Sequence, residues 1–599
     1  MKFRNDIQIL RGLSVFFVVL FHLGFEQLQS GFLGVDVFFV ISGFLMAVLY
    51  DYRSKKLFFE RRIKRLLPPY FAVILVTVIA SFIINTPNET KQVSEQSMFG
   101  AFFLSNLGFW LQNSYFSKAE FNPLLHLWSL GVEIQFYIIV PLLAWFFRKS
   151  KAFLPIFLSS SLFLCIIMVS ISPKTAFFML PFRLWEFLIG FGVAAFLTNN
   201  GSIKYKQKEY IGAIGLITLI MIPFFKVNGQ AFGFIDGHPG LSSLFVCFST
   251  ALILCFGLPI KLENTIIGKT TIWLGKYSYS IYLAHFPIIV IYLSKPFGGT
   301  ILTSNSYMEL ISIVLLIFIF SYFLHHLFEA RKFNHTVKLM ALSSLIAFIS
   351  PLPLSYFKNL SMSDDESKIF AAFSDRSEYR CGKLVRILNP KAISCELTNV
   401  NEPKKTIMLI GNSHADSIKT AFSEIAQHND VRLLFLIPNN PLMDNGGLSA
   451  NRVFKDISSK KVDHIVIHFS TEGYSLNNIK KLIGLSKKSD ISVTILEPVP
   501  RWGKHIPQYM YNKLKGNGGD ISKTREEYLN DNHRIFEGLN NIDYGDFDRV
   551  SVTDVFCKDD CQFSSKDGIP FYFDTNHLTL TGSRELNNKI HNIVVKHLP

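Results

Sequence analysis

Ile9-Leu-Arg-Gly-Leu-Ser-Val-Phe-Phe-Val-Val-Leu-Phe-His22 is the stretch on which the fold turns. It is apolar for most of the length needed to cross a bilayer, yet it carries an arginine and a histidine. Further apolar segments of spanning length fall near 32–50, 69–86, 126–147, 153–171, 181–198, 209–226, 241–258, 277–294, 308–328 and 335–354. Counting the first, near 9–26, this gives about eleven membrane spans. Beyond residue 355 the composition changes to that of a soluble domain. The first segment has no small-residue cleavage site and is followed at once by another apolar run, so it reads as a retained span.

Charge places the spans. The chain has a net charge of +15 over 599 residues, but residues 356–599 hold 32 Lys/Arg against 30 Asp/Glu. The surplus therefore lies in the membrane half, which leaves no basic stripe for nucleic acid. It gathers in the loops Arg53–Arg65, Arg148–Lys151, Lys204–Lys208, Lys261–Lys269 and Arg331–Lys338, whereas Asn85–Gln96 and Gly229–Gly240 carry few basic residues. A short candidate at 97–112, broken by Ser105, Asn106 and Gln112, decides the parity. Left uncounted, it puts the basic loops on one face, with the N-terminus in the cytoplasm and the C-terminal domain outside. Cys381, Cys395, Cys557 and Cys561 all fall in that domain. The local pairs are the simplest of three connectivities, a zinc site is the competing reading, and disulfides favour an oxidising compartment.

A charge inside a span is costly and normally faces a partner or a cavity. Arg11 and His22 lie about three turns apart on roughly one helix face, although Arg11 serves equally well as a snorkelling anchor. Asp36 opens the second span, Glu133 sits inside another and follows His126, and Arg183 and Glu186 are spaced i,i+3 for mutual neutralisation. His285 is either functional or a satisfied core histidine.

The soluble half opens with Ile407-Met-Leu-Ile-Gly-Asn-Ser-His414 and closes with Asp574-Thr-Asn-His577. A strand, a tight turn and a helix over 406–427 put Ser413 at a helix start, where its N–H faces a developing oxyanion. Strands at 431–437, 464–469 and 492–497 alternate with helices at about 476–487, 523–539 and 580–597, a parallel α/β pattern. Asp574 orients His577, which takes a proton from Ser413; singly, each residue is also explained as a helix cap or a loop pair.

Arg11-x10-His22, Gly34-Val-Asp-Val-Phe-Phe-Val-Ile-Ser-Gly-Phe44, Phe59-Glu-Arg-Arg-Ile-Lys-Arg-Leu-Leu-Pro-Pro-Tyr70, His126-Leu-Trp-Ser-Leu-x-x-Glu133 and Tyr282-Leu-Ala-His-Phe-Pro287 together resemble the membrane-bound type-3 acyltransferase family. The resemblance implies acyl transfer, usually of acetyl, from cytoplasmic acetyl-CoA to extracytoplasmic carbohydrate. It makes His22 the base or acyl relay, Arg11 and Asp36 its electrostatic partners, and Arg61, Arg62 and Arg65 the coenzyme's phosphate ligands. His126, Glu133, Arg183, Glu186 and His285 are further candidates, and no metal is implied.

The soluble half resembles the SGNH hydrolase superfamily as fused behind such acyltransferases, with Asp567 to Gly582 the strongest piece. Ser413, Asp574 and His577 then form a triad. Asn412 replaces the family's usual aspartate, and the family's oxyanion asparagine is not visible. The corresponding stretch is His468–Tyr474, and a glycine of Asn445-Gly446-Gly447 is one substitute donor. The expected architecture is therefore a membrane domain at 1–330, an added span and linker at 331–375, and a three-layer SGNH-like domain with a parallel sheet at 376–599. The expected protein is a multi-pass enzyme of the bacterial inner membrane, with its C-terminal domain periplasmic. Its acceptor is envelope polysaccharide, first lipopolysaccharide O-antigen. Peptidoglycan O-acetylation and a membrane-anchored carbohydrate esterase are the alternatives.

Overall fold

The computed structural model describes residues 4–112, 120–199, 209–229, 231, 233–331, 336–377, 380–382, 385, 389, 392–438, 441–442, 447–542 and 547–596. Lys204–Lys208, Lys332–His335 and Asn445–Gly446, all used in the reading above, lie outside them. The chain separates into two compact units, Met1–Leu360 and Ser361–Pro599. The segment expected as a linker is partly structured. Helix Asp364–Ala371 belongs to the second unit, where Glu366 pairs with Lys515 at 2.6 Å and Phe370 meets Tyr511 at 5.5 Å.

The first unit is helical. Each of the eleven apolar segments falls on a helix, and eight helices among the described residues are long and apolar enough to cross a membrane. The other three segments lie on the shorter apolar stretches Glu209–Phe224 and Leu241–Phe256 and on Ile266–Tyr292. The doubtful segment at 97–112 is broken. Helix Pro87–Ala101 ends, Phe103 takes a φ of 59°, and a seven-residue helix Ser105–Leu111 follows; neither helix is among the eight.

One expectation needs correcting. The basic run 53–65 is read above as a loop, but from Lys55 it forms the start of one helix, Lys55–Ile84, which continues through Pro68 and Pro69. At 1.5 Å per residue its 30 residues extend about 45 Å, more than the hydrocarbon core, so its charged first turns project beyond the apolar part.

Two close helix crossings position the polar groups. Helix Asn5–His22 packs along Ile266–Tyr292 through glycines: a Cβ on Gly12 would lie 2.1 Å from the Thr271 carbonyl oxygen, and one on Gly275 would lie 2.0 Å from that of Gln8. Helix Gly34–Leu49 packs on Leu180–Asn199 in the same way, through Gly43 against Phe187 and Gly190 against Val40. Small residues at these points let the backbones touch, the usual driving geometry inside lipid. Large side chains such as Phe163, Ile311, Leu315 and Tyr322 remain exposed on the outer helices, as a lipid-facing surface requires.

The second unit is built on a six-stranded sheet in the order β1-β3-β2-β4-β5-β6. The strands are β1 Ser394–Glu396, β2 Lys405–Gly411, β3 Val431–Leu436, β4 His464–His468, β5 Ser492–Leu496 and β6 Asp548–Val550. β2 to β6 pair in parallel, but β1 runs antiparallel to β3, so the sheet is mixed where a parallel one is expected. β1 and β6 are three residues each, too short to leave a periodic signal.

The chain moves from β2 to β3 on one side and then crosses to β4 on the other. Right-handed crossovers therefore place helix Ser413–His428 on one face and helices Ala450–Ser459 and Leu476–Lys487 on the opposite face. The helix expected at 523–539 is two, Arg525–Asp531 and His533–Asn540. Asn532 separates them because its buried side chain turns to the Tyr528 carbonyl and to Thr471. Both predicted disulfides are present, Cys381–Cys395 and Cys557–Cys561.

Candidate active sites

The reversal of strand order at β2 opens a crevice at its C-terminal end, where α/β sheets carry their ligands. Ser413 stands there as the first residue of its helix, capped by Asn412. The Asn412 Oδ1 accepts from the His414 N–H at 3.1 Å and the Ser470 N–H at 3.3 Å, while its Nδ2 donates to Ser470 Oγ at 2.8 Å. That donated bond is one a carboxylate does not make, so asparagine fits here as more than a tolerated aspartate.

The loop after Phe573 brings the other two groups. His577 Nε2 lies 2.7 Å from Ser413 Oγ, and its Nδ1 lies 2.6 Å from Asp574 Oδ2. The second Asp574 oxygen accepts the backbone N–H groups of Asn576 and His577 at 2.9 and 2.8 Å. Burial alone would raise this carboxyl; the hydrogen bond and charge of His577 and those two amides hold it below its ordinary range. The loop itself is pinned by Trp502 N–H to the Thr575 carbonyl and Ile506 N–H to the Asp574 carbonyl. An ionised carboxylate, an oriented imidazole and a hydroxyl are thus in the register of a nucleophilic triad.

Arg380 escaped the sequence reading. It is 2% exposed and donates to the carbonyls of Gly411 and Leu436 at 3.2 and 3.3 Å, which steadies the turn before Ser413. Of Asn445, Gly446 and Gly447, from which a substitute oxyanion donor is expected, Gly447 alone is described.

Two more imidazoles lie behind the triad. The His414 ring is 4.9 Å from His577 and 6.1 Å from His468, and neither of its nitrogens has a hydrogen bond among the described residues. Burial, helped by the other histidines, pushes His414 well below 6.5, and burial pushes His468 down to about 4. Unfolded, both titrate near 6.5. The stability tied to keeping them neutral is therefore complete above about pH 6.5 and falls below it, the share of His468 being lost as pH falls through about 4. A fragment from Ser361 should lose about 3 kcal/mol from His468 alone across that window. His468→Gln should flatten the pH dependence of denaturant unfolding; an unchanged slope would refute this source.

In the membrane unit the candidates form three groups. His22 Nδ1 is 3.1 Å from His285 Nε2, and His285 Nδ1 is 2.7 Å from the Tyr282 carbonyl oxygen. The His126 ring centroid lies 5.7 Å from that of His285.

Asp36 is not beside His22. It is 2.5 Å from Arg183, which also lies 3.1 Å from Glu186 and 3.0 Å from His238; all four residues are at most 1% exposed. The i,i+3 pairing of Arg183 and Glu186 is present, but it is part of a larger buried network that includes Ser243, 3.0 Å from His238. A lone charge has no stable place in lipid, and the charge of Arg183 accounts for where Asp36 is held.

Arg11 also departs from the expected partnership. Its electrostatic neighbours are Arg65, Glu329, Glu133 and Tyr137. In this third group Glu133 accepts from Ser42 and Tyr137, Arg62 lies over the Tyr137 ring at 5.7 Å, and Arg65 is 3.6 Å from Glu329. Arg61 is exposed. Glu329 also binds His325 and Ser280, each at 2.8 Å, from a turn of π-helix over His325–Glu329. His238, His325 and Glu329 were not anticipated. A π-turn leaves no compositional signal, although such turns often mark functional sites.

An acyltransferase domain model matches residues 4–326, and a model of the SGNH domain fused to AT3 domains matches 380–592. The O-acetyltransferase OatA of Staphylococcus aureus is 32% identical over 306 residues, covering 47% of this chain and 50% of the relative. A putative O-acetyltransferase of the same species is 31% identical over 318 residues, covering 48% and 51%. The chain thus spans about half the length of the curated relatives it matches. The solved periplasmic domain of a lipopolysaccharide acetyltransferase of Salmonella ser. Paratyphi A aligns with 39% of this chain and 98% of its own, at 17% identity and a TM-score of 0.29. With its acyltransferase model covering more than half of the sequence, the chain belongs to the type-3 acyltransferase family, in the form that carries a fused SGNH domain.

Proposed function

We propose that this chain transfers an acetyl group from cytoplasmic acetyl-CoA across the inner membrane to hydroxyls of an envelope polysaccharide. The observation that carries this reading is the occurrence of two complete proton-transfer sets in one chain. His22–His285 lies in the membrane unit, and Ser413–His577–Asp574 in the soluble one.

The reading assigns the first to acyl acceptance from the thioester. Arg62 and Arg65, with Arg61, supply the forked donors that coenzyme phosphates favour. The second set forms an acetyl-Ser413 ester. The Ser413 N–H at the helix start stabilises the oxyanion, and His577 passes the proton between the hydroxyls. A well-placed sugar hydroxyl then outcompetes water. The basic loops and the two disulfides support an extracytoplasmic second unit.

We assign the acceptor to lipopolysaccharide O-antigen, on the resemblance of the fused motifs. The triad by itself equally supports hydrolysis, so an esterase is the second reading. Cells making the chain should incorporate label from acetyl-CoA into envelope glycan, with mass spectrometry locating it on O-antigen. Label on peptidoglycan would move the acceptor, and release of acetate with no glycan label would favour the esterase.

A further inference from the structure

The contact between His22 and His285 pairs one donor with one acceptor. The Tyr282 carbonyl can only accept, so His285 donates through Nδ1–H, and its Nε2 carries the lone pair. The His22 ring also bonds the Val18 carbonyl; its Nδ1 faces the His285 lone pair and, in the neutral ring, donates Nδ1–H to it, the tautomer whose own lone pair is on Nε2. Both rings are buried, at 5% and 0% exposure, so His285 is a titratable group in direct hydrogen-bond contact with the ring that would take the acyl group. The pair is arranged as donor and acceptor of one proton.

Acyl transfer across a membrane has a charge balance that acyl transfer in solution lacks. A thioester inside and a hydroxyl outside become a thiol inside and an ester outside. Unless a proton crosses inward, one is taken up in the cytoplasm and one released outside for each acyl group. That amounts to one positive charge moved outward against an inside-negative potential.

We propose that the membrane unit is an acyl-for-proton exchanger, in which the His22–His285 pair carries one proton inward for each acyl group sent outward. The proposal rests on the function proposed above. His22 Nε2 attacks the thioester carbonyl, the C–S bond breaks, and the thiolate leaves with its electron pair. The acylimidazolium gives its Nδ1 proton to His285 Nε2, and His285 passes a proton to the thiolate. A neutral acylimidazole and a thiol remain. An acceptor hydroxyl then attacks the acyl carbon, the C–N bond breaks, and the hydroxyl's proton ends on the imidazole. In sum, thioester and alcohol become thiol and ester, no charge crosses, and the hydroxyl's proton reaches the side from which the acyl group came. His285 acts here as a positioning and proton-carrying residue.

The test uses right-side-out membrane vesicles from cells making the full chain, loaded with labelled acetyl-CoA, with their own envelope glycan as acceptor. Valinomycin and about a hundredfold potassium gradient impose a potential of either sign. The proposal predicts glycan labelling at rates equal within about 1.5-fold at both signs. A rate about tenfold or more slower with the interior negative would overturn the exchange while leaving the transferase reading intact. No labelled glycan under any potential would overturn that reading, and the proposal with it.

His285→Gln keeps an acceptor for the His22 N–H but cannot carry a proton. Its rate should fall about a hundredfold and become sensitive to the sign of the potential. A residual rate indifferent to potential would remove His285 from the path, and the wild-type measurement stands whether or not this variant folds.

Discussion

Ser413→Ala should lower acetylation of envelope glycan by about a thousandfold or more, with Arg11 and His22 untouched. The hydroxyl lies 2.7 Å from the imidazole that would deprotonate it, and that imidazole is oriented by a carboxylate at 2.6 Å. Removing the nucleophile leaves the helix start and the binding surface in place, so folding and membrane insertion should persist. Asp574→Asn should also impair transfer. It exchanges an acceptor for a group that can donate, and so disturbs the tautomer of His577 while leaving the nucleophile present. A fragment from Ser361 should slowly hydrolyse small activated acetyl esters without coenzyme A. If Ser413→Ala acetylates glycan at the wild-type rate, the soluble unit binds or edits and the series is wrong.

His22→Ala should be as severe, by about a thousandfold, for a different reason. It removes the ring whose Nδ1 faces His285, while the triad in the other unit is unaltered. The variant should therefore lose glycan acetylation but keep the ester hydrolysis of the soluble unit. Cell fractionation should find it in the membrane at the wild-type level, because the crossing beside it is fixed by Gly12 and Gly275 rather than by the imidazole. Retained acetylation would move acyl acceptance elsewhere, with His126 the nearest remaining imidazole to His285.

The sequence carries the local chemistry of both sites and little of their wiring. Ser413, Asp574 and His577 are readable because a strand, a tight turn and a helix announce the first, and the Asp-x-x-His spacing announces the others. Asn412 is readable as a departure, but its bonds with Ser470 require the end of β4 to lie alongside, which local pattern does not reveal.

In the membrane unit the charged residues stand out against apolar runs, so Arg11, His22, Asp36, Arg183 and Glu186 are found without difficulty. Their partners are not. Periodicity says which face of a helix a residue occupies; which helix it meets depends on glycine contacts between residues about 150 or 260 positions apart. This is why Asp36 is expected beside His22 and lies instead against Arg183 and Glu186. His325 and Glu329 close a span in an unremarkable sequence and become visible only when the π-turn pairs them and brings Glu329 to Arg65 and Ser280. The short strands β1 and β6 are invisible for a simpler reason: three residues cannot display alternation.

The most direct measurement of whether the two sites act in series is peptide mass spectrometry of the rapidly quenched full chain in membranes supplied with labelled acetyl-CoA. Acyl passing from the membrane unit through the triad predicts a labelled acetyl group on the Ser413 peptide of the wild type, and none on that peptide in His22→Ala. Glycan that becomes labelled while Ser413 never does, or a Ser413 that is labelled as fast without His22, would contradict it.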